Sequence, residues 1–221
     1  MMRWIGLVSL APCLVAAVTA ADDAESKSYR FDKASLGKLP SGWTAAKTGK
    51  GEGSVWKVVA DDTTPSKSGY ALAQTASGPN ALFNLCVADK PNLKDVEIQV
   101  NLKAVEGKND RGGGVVWRYV DADNYYVCRY NPLEDNFRLY KVVAGKRMQL
   151  ATTKDDLKSK EGTWHVLKVR HVGDKIECWL DGKKHLEEKD DTFTKAGKVG
   201  LWTKADARTR FDGLQVTDLA K

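Results

Sequence analysis

The segment GGGVVWRYVDADNYYVCRYNPLEDNFRLYKV, which spans Gly112–Val142, decides the predicted fold of this chain. Apolar and polar residues alternate through three short bursts, and a period of two is expected of β-strands whose two faces meet different surroundings. The DADN and LEDN stretches between the bursts have the composition of tight hairpin turns. The segment therefore predicts three consecutive antiparallel strands.

The same pattern continues on both sides of this segment. In VEIQVNLK, residues 96–103, aliphatic and polar side chains alternate, and IECWL repeats the pattern just before an Asp-Gly turn. Helical periodicity is almost absent, and strands are predicted at residues 55–59, 70–74, 81–87, 96–104, 114–120, 125–131, 137–143, 164–171, 175–180, 198–203 and 209–217. Short strands at regular spacing predict an all-β fold, a two-sheet antiparallel jelly-roll sandwich.

The N-terminus has the pattern of an export signal. Residues 1–21 combine a short region containing Arg3, an apolar run and small residues before the end, so they are predicted to be a secretory signal peptide cleaved after Ala20 or Ala21. A lipid anchor on Cys13 is the alternative, which Pro12 disfavours. We expect no membrane span, and we expect the protein to be exported to the periplasm or outside the cell.

The rest of the chain is expected to form one domain. Residues 22–28 are polar and predicted to be disordered, and the sandwich is predicted to occupy residues 29–221. The irregular region 40–53 is expected to lie over one edge of the sandwich, with Trp43 and Trp56 as anchors.

Charge and cysteine content argue against several functions. The net charge of +6 is spread along the chain rather than concentrated, which disfavours a nucleic-acid groove. Outside the signal peptide the cysteines are Cys86, Cys128 and Cys178, without a Cys-x-x-Cys spacing, so a zinc site has little support. An odd number allows at most one intrachain disulfide, and buried thiols are the favoured interpretation.

Three stretches together resemble the concanavalin A-like lectin/glucanase superfamily, in the branch with laminin G-like and 3-keto-disaccharide hydrolase domains. These stretches are GGGVVWRYVDADNYYVCRYN, FRLYKVVAGKRMQLA and WHVLKVRHVGDKIECWLDGKKHLEEKDDTFTKAGKVGLWTKADARTRFDGLQV. The resemblance implies a curved sheet whose concave face binds a saccharide. It is specific for the fold rather than for one function, because this fold hosts lectins, glycosidases, lyases and adhesion modules.

Alternation within the strands selects the residues of a candidate site on that face. If the side chains of Tyr126, Cys128 and Tyr130 point into the core, those of Tyr125, Arg129 and Asn131 point the other way. The same reasoning adds three further ligand-binding candidates, Arg118, Trp202 and Lys204. A guanidinium beside an aromatic ring suits sugar hydroxyls, uronates or sulfates, with Trp202 or Trp179 as a stacking surface. The alternative is a solvated arginine face paired with Glu134, Asp135 or Glu97.

Catalytic signals are weak. The E-x-D-x-x-E motif of laminarinase-type enzymes with this fold is absent, and the acidic stretch 187–191 is predicted to be a solvated turn. The segment RFDKASLGKLPSGW, residues 30–43, keeps only part of the sequence motif with which 3-keto-disaccharide hydrolase domains typically begin. His165 and His171 share a strand but lie ~20 Å apart, so they do not form one site.

Metal binding is expected at most as a structural calcium ion. Asp121–Asn124 could offer oxygens to calcium, but a hairpin turn explains them better. Asp32 near the start and Asp212 near the end are a second possibility, since the first and last strands are expected to meet. No other cofactor is indicated.

Three functions remain open. The first is an exported module that recognises a saccharide or glycoconjugate without chemistry of its own. The second is a keto-sugar hydrolase or lyase, which needs one base and an electrophile rather than two paired carboxylates. The third is a protein-adhesion module of the laminin G type.

Overall fold

The computed structural model describes Met1 and residues 25–153, 155–157 and 162–220. Residues 2–24, which include nearly all of the predicted signal peptide and the start of the predicted disordered segment, lie outside the described residues. A short 3-10 helix covers Lys33–Ser35, and the described strands are β1 Ser26–Tyr29, β2 Trp43–Thr48, β3 Trp56–Ala60, β4 Tyr70–Gln74, β5 Phe83–Leu93, β6 Val96–Glu106, β7 Gly113–Asp121, β8 Asn124–Asn131, β9 Asn136–Val143, β10 Lys146–Thr152, β11 Trp164–Val172, β12 Lys175–Leu180, β13 Lys183–Lys189, β14 Gly197–Lys204 and β15 Arg208–Asp218.

The strands form two antiparallel sheets. An eight-stranded sheet has the order β13-β12-β11-β6-β15-β4-β3, with β1 beside β15, and a seven-stranded sheet has the order β10-β9-β8-β7-β14-β5-β2. Neighbours such as β6 and β15 are far apart in sequence, as expected of a jelly roll rather than a simple meander. The predicted all-β, two-sheet jelly-roll sandwich is confirmed.

The main core lies between the sheets and follows the predicted alternation. On β6, Val96, Ile98, Val100 and Leu102 are fully or almost fully buried, whereas the polar residues between them are partly exposed. Trp43 and Trp56, the predicted anchors, are also buried in this core. At roughly 25 cal/mol per Å² of apolar surface removed from water, burial of this kind is the main stabilising contribution to folding.

Four strands were not predicted. The segment 26–28, expected to be disordered, begins β1, which pairs with β15, and the region 40–53, expected to be irregular, contains β2. The acidic stretch 187–191 was expected to be a turn, but Glu187–Lys189 complete β13. β10 is the fourth. All four are polar or mixed in sequence, and β2, β10 and β13 are edge strands, where one-sided pairing weakens the alternation.

The side of the seven-stranded sheet that points away from the core is called the outer face below. It carries a second apolar cluster, formed by Phe83, Leu85, Val87, Val116, Tyr125, Val127, Tyr140, Val142 and Trp202. A sheet face turned to water usually carries polar residues, so this face is unusual in its aromatic content. Among the described residues, no helix is long and apolar enough to cross a membrane.

Candidate functional site

One row of residues crosses the middle of the outer face. Arg138 on β9 lies opposite Arg129 on β8, which lies opposite Gly114 on β7, which in turn lies opposite Trp202 on β14. Gly114 contributes no side chain between the arginine and the indole. A Cβ atom there would lie 1.8 Å from the carbonyl oxygen of Cys128, so the position has no room for a larger residue.

Arg129 is held rigidly in this row. It is 1% exposed, its Nη1 donates to Asn136 Oδ1 at 2.7 Å, and its Nη2 donates to Glu134 Oε2 at 2.7 Å. Asn136 Nδ2 also donates to the same Glu134 oxygen at 3.0 Å, which closes a small ring of interactions. A buried charge that is paired and hydrogen-bonded in this way keeps a single orientation.

Tyr140 lies among three guanidinium groups. Its hydroxyl oxygen accepts hydrogen bonds from Arg129 Nη2 and Arg138 Nη1, both at 3.4 Å. The guanidinium carbon of Arg147 lies 4.4 Å from the centre of the Tyr140 ring, and the same group also lies over Phe83 and Trp202, at 5.1 and 5.8 Å from their ring centres. Contacts between a cation and ring faces at these distances are attractive.

A second polar group borders the row on the other side. The carboxylate of Asp110 accepts from Asn131 Nδ2 and from Lys204 Nζ, each at 3.0 Å. Asn131 Oδ1 accepts from the backbone N–H groups of Leu133 and Glu134, which fixes the turn that carries Glu134. Asp110 is itself placed by Asp206, whose carboxylate accepts from three backbone N–H groups in the loop 108–110.

The electrostatics of this cluster favour the charged form of Glu134. Burial by itself would raise the pKa of Glu134, but hydrogen bonds from Asn136 and Arg129 lower it to about 2. Burial would lower the pKa of Arg129, yet Tyr140, Asp110 and Glu134 raise it. The pKa of Arg147 is lowered, because burial and the nearby Arg129 outweigh its attractive partners. Glu134 is thus a carboxylate at neutral pH and a weak base.

Three buried donors on the outer face lack a hydrogen-bond partner among the described residues. They are Arg129 Nε, Arg147 Nη1 and Trp202 Nε1. The Trp202 indole lies near the Tyr125 phenol and opposes the rise in the pKa of Tyr125 that burial causes. The indole N–H nevertheless completes no hydrogen bond with a described residue. A buried donor without an acceptor costs about 1–3 kcal/mol, so such groups need an explanation.

The predicted ligand-binding residues divide into two groups. Tyr125, Arg129, Asn131, Trp202 and Lys204 lie on the outer face, as the alternation predicts. Tyr125 is buried, its hydroxyl lies 2.7 Å from Thr48 Oγ1, and burial raises its pKa. The ion pair of Arg129 with Glu134 was considered as an alternative to a ligand-binding role, and the structure contains it. The role of these residues in binding stays a prediction.

Arg118 does not join them. Its backbone adopts a left-handed conformation, with φ of 44°, where the register of β7 against β8 shifts between Trp117 and Asp121. The guanidinium donates to the carbonyls of Lys94, Phe193 and Gly173 and pairs with Asp95. Arg118 therefore ties together turns at one end of the sandwich, and its predicted place on the outer face beside Arg129 is wrong.

Trp202, a candidate stacking surface for a sugar, is buried. The indole points to the outer face as predicted, but it is 0% exposed, packed against Phe83 at 5.4 Å between ring centres and against Arg147. Trp179, considered as a stacking surface, lies on β12 in the other sheet, with Lys168 Nζ 4.4 Å from its ring centre. Trp179 therefore does not contribute to the outer face.

Sequence reasoning missed Arg138, Tyr140, Arg147 and Asp110. The first two follow from the alternation of β9, because Arg138 and Tyr140 alternate with the core residues Phe137 and Leu139. Arg147 lies in AGKR, residues 144–147, which has the composition of a turn, and only the pairing of β10 with β9, which places it opposite Val142, brings it to the outer face. Asp110 lies in a loop, where no sequence period indicates direction.

The described residues contain no group of three or more His, Cys, Asp or Glu side chains arranged to hold a metal ion. Asp32 accepts a hydrogen bond from the backbone N–H of Ser35 at the start of the 3-10 helix. Asp212 is buried and accepts from the N–H and hydroxyl of Ser66. Both carboxylates thus have structural partners of their own, and the structural calcium ion stays a prediction.

The fold and this geometry can be compared with known proteins. The model of the 3-keto-alpha-glucoside-1,2-lyase-like domain family matches residues 31–217. Among solved structures, the carbohydrate-binding module CBM66 from Bacillus subtilis is 19% identical with a TM-score of 0.64, and the match covers 80% of this chain and 96% of that one. Among curated protein sequences, none is significantly similar to this chain.

Two further solved structures share the fold. A putative glycosyl hydrolase from Parabacteroides distasonis is 14% identical with a TM-score of 0.53, over 81% of this chain and 89% of that one. The exoplasmic/lumenal domain of VIP36, in a form with bound Ca²⁺ and Man3GlcNAc, is 13% identical with a TM-score of 0.54, over 81% and 84%. At these identities the likeness shows the fold, and it agrees with the concanavalin A-like resemblance of the sequence.

Proposed function

The chain belongs to the 3-keto-alpha-glucoside-1,2-lyase-like domain family, and from that premise we propose that it binds a saccharide on the outer face of its seven-stranded sheet. The observation that carries this proposal is the set of buried donors on Arg129, Arg147 and Trp202 that have no acceptor among the described residues. Sugar hydroxyl, ring and carboxylate oxygens are acceptors, and they would satisfy these donors.

The composition of the face supports the same proposal. The rings of Phe83, Tyr140 and Trp202 surround Arg147. Ligand sites typically combine apolar and aromatic walls with a few fixed polar groups. CBM66 is described as a carbohydrate-binding module and the VIP36 domain holds Man3GlcNAc, so the fold accommodates saccharides in proteins of similar architecture.

Retention on a panel of neutral and acidic polysaccharides, by affinity gel electrophoresis, tests the proposal. We expect at least one polysaccharide to retard the protein and Arg138→Ala to weaken retardation, because Arg138 borders the row and donates to Tyr140. Arg170→Ala is the matched control. Arg170 is a partly exposed strand arginine of the other sheet, and its side chain is 42% exposed against 33% for Arg138.

Both variants remove one positive charge, so a general charge effect would appear in both. Equal weakening by the two substitutions would contradict a site on the outer face. If no polysaccharide retards the folded protein, saccharide binding itself is wrong.

Family membership favours a second candidate, an enzyme of the keto-sugar lyase type. Such a reaction removes a proton beside a ketone and stabilises negative charge on the ketone oxygen. Arg129 and Arg147 would stabilise that charge. The proposed base is Tyr140 in its phenolate form, whose oxygen lies 3.4 Å from Arg129 Nη2 and Arg138 Nη1, since Glu134 with a pKa of about 2 is a poor base. Incubation with a 3-keto-glucoside, with and without divalent metals, tests this candidate. Released aglycone supports it, and binding without release supports the binding module.

We also propose that the protein is exported to the periplasm or beyond the cell, on the basis of the signal-like composition of residues 1–21. The intact mass of the protein recovered from the periplasm or medium tests this, because cleavage after Ala20 or Ala21 removes a defined mass.

A further inference from the structure

The outer face has an excess of positive charge where it meets the proposed ligand. Arg129, Arg138, Arg147 and Lys204 supply the positive groups, and the acidic groups that pair with them are Glu134 and Asp110. Glu134 is shared between Arg129 and Arg138, and Asp110 is bound to Lys204 and Asn131. This leaves Arg147 without a carboxylate of its own among the described residues.

Arg147 is nevertheless held in a defined position. Its guanidinium lies over three aromatic rings, those of Tyr140, Phe83 and Trp202. Nη1 is buried, and no described residue accepts a hydrogen bond from it. A guanidinium kept in place by ring faces can still donate from its edge, because ring contacts use the face of the planar group and hydrogen bonds use its N–H groups.

Arg129 carries a second buried donor close to the same tyrosine. Its Nη1 and Nη2 are used by Asn136 and Glu134, but the buried Nε has no partner among the described residues. The guanidinium carbons of Arg129 and Arg147 lie 5.9 and 4.4 Å from the centre of the same Tyr140 ring, so both guanidinium groups are close to Tyr140.

Resting on the proposed function, we propose that the saccharide is anionic and that its carboxylate or sulfate group binds Arg147, with Arg129 Nε as a second donor. A planar guanidinium fork matches the oxygens of a carboxylate or sulfate, and a charged acceptor makes stronger hydrogen bonds than a hydroxyl. A neutral sugar would satisfy the donors but would leave the charge of Arg147 uncompensated in a buried place.

The test uses pairs of polymers that differ only in charge: polygalacturonate against its highly methyl-esterified form, and dextran sulfate against dextran. The first pair tests a carboxylate and the second a sulfate. The dissociation constant of the intact protein is measured for each polymer at several salt concentrations. We expect the acidic member of at least one pair to bind at least about tenfold more tightly than its neutral partner, a difference of about 1.4 kcal/mol.

Substitutions at Arg147 separate a built site from general attraction to a basic protein. Arg147→Gln is expected to abolish the preference for the acidic polymer, and Arg147→Lys, which keeps the charge but loses the planar fork, to restore it only in part. Arg170→Gln, which removes a charge on the other sheet, is expected to leave the preference unchanged. Thermal denaturation of each variant verifies folding, and if Arg147→Gln does not fold, Arg147→Lys alone carries the test.

The outcomes separate this proposal from the proposed function. If Arg147→Gln and Arg170→Gln lose acidic-polymer binding equally, net charge alone is responsible and the inference is overturned. Where Arg147→Lys carries the test alone, full binding by this variant has the same meaning. Equal affinity of the unmodified protein for both members of each pair would also overturn it while leaving saccharide binding in place. Absence of binding to every polymer by the folded protein would overturn both.

Discussion

At the scale of single residues, His171 shows how burial sets a pH response. Trp117 Nε1 donates to His171 Nδ1 at 2.9 Å, so this nitrogen is the acceptor and the proton of the neutral ring lies on Nε2. His171 is 0% exposed, and burial, followed by the positive charge of Arg118, lowers its pKa to about 3, although Asp95 and Asp190 oppose the shift. The folded protein thus keeps this ring neutral well into the acidic range.

We predict that His171 makes the protein less stable as the pH falls from about 6.5 to about 3. In that window the unfolded chain, with an ordinary histidine pKa, binds a proton that the folded chain does not, so the free energy of unfolding decreases by about 1.4 kcal/mol per pH unit from this residue. Urea denaturation of the native protein and His171→Gln at several pH values measures the effect. The variant, whose amide can still accept from Trp117, should show a shallower slope, and equal slopes would contradict the prediction.

Arg118 and Arg129 show when the direction of a single side chain can be predicted from the sequence alone. The alternation of β8 places Arg129 correctly, because that strand pairs with β9 without a shift in register. Arg118 fails the same argument, since a bulge at a left-handed residue turns its side chain to the end of the sandwich. A bulge depends on how the neighbouring strand pairs, so the alternation of residues within one strand does not predict it.

At the scale of elements, the contribution of Trp202 on β14 to stability can be tested. The sequence predicts the direction of this side chain, but its burial depends on Phe83 from β5 and Arg147 from β10, which are distant in sequence. We predict that Trp202→Ala lowers the free energy of unfolding by about 3–5 kcal/mol, as expected for a large aromatic removed from a packed cluster. Chemical denaturation measures this loss.

Trp179→Ala is the matched control, since this tryptophan lies on the solvent side of β12 and is only partly buried. Its removal should cost clearly less than the removal of Trp202. Similar losses in the two variants would contradict the packing described for the outer face. The sequence does not predict that β10 covers Trp202, because Arg147, whose guanidinium lies over the ring, belongs to a stretch with the composition of a turn.

At the scale of the whole molecule, the closed sandwich determines the behaviour of its thiols. Cys86, Cys128 and Cys178 are unpaired and buried in the core between the sheets. Burial raises the pKa of Cys86 and of Cys128, and the neighbouring Cys178 from the opposite sheet raises the pKa of Cys128 further. A thiol that is both inaccessible and protonated reacts slowly with disulfide reagents.

We predict that these three thiols do not react with Ellman's reagent in the folded protein and that all three react in guanidinium chloride. The sequence left this open, because an odd number of cysteines also allows one disulfide. A single reactive thiol under denaturing, non-reducing conditions would show that Cys128 and Cys178 had become oxidised and would contradict the prediction. Rapid reaction before unfolding would contradict the burial.

The overall architecture was predictable because it depends on a pattern repeated in nearly every strand. Alternation over eleven segments fixes the fold class even when single strands are missed. The site depends instead on pairings between distant strands and on one loop, so sequence indicated Arg129, Asn131 and Lys204 but not Asp110 or Arg147.

The edge strand β13 has a consequence for the protein in crowded solution. β13, with the sequence Lys-Lys-His-Leu-Glu-Glu-Lys, is the last strand of the eight-stranded sheet, and within the described part of the chain no strand pairs with its outer side. A second molecule that added a strand there would have to place its own backbone among these charged side chains and strip water from them. This energetic barrier makes β13 a poor template for intermolecular β-sheet growth, so charge at the rim protects the molecule from aggregation.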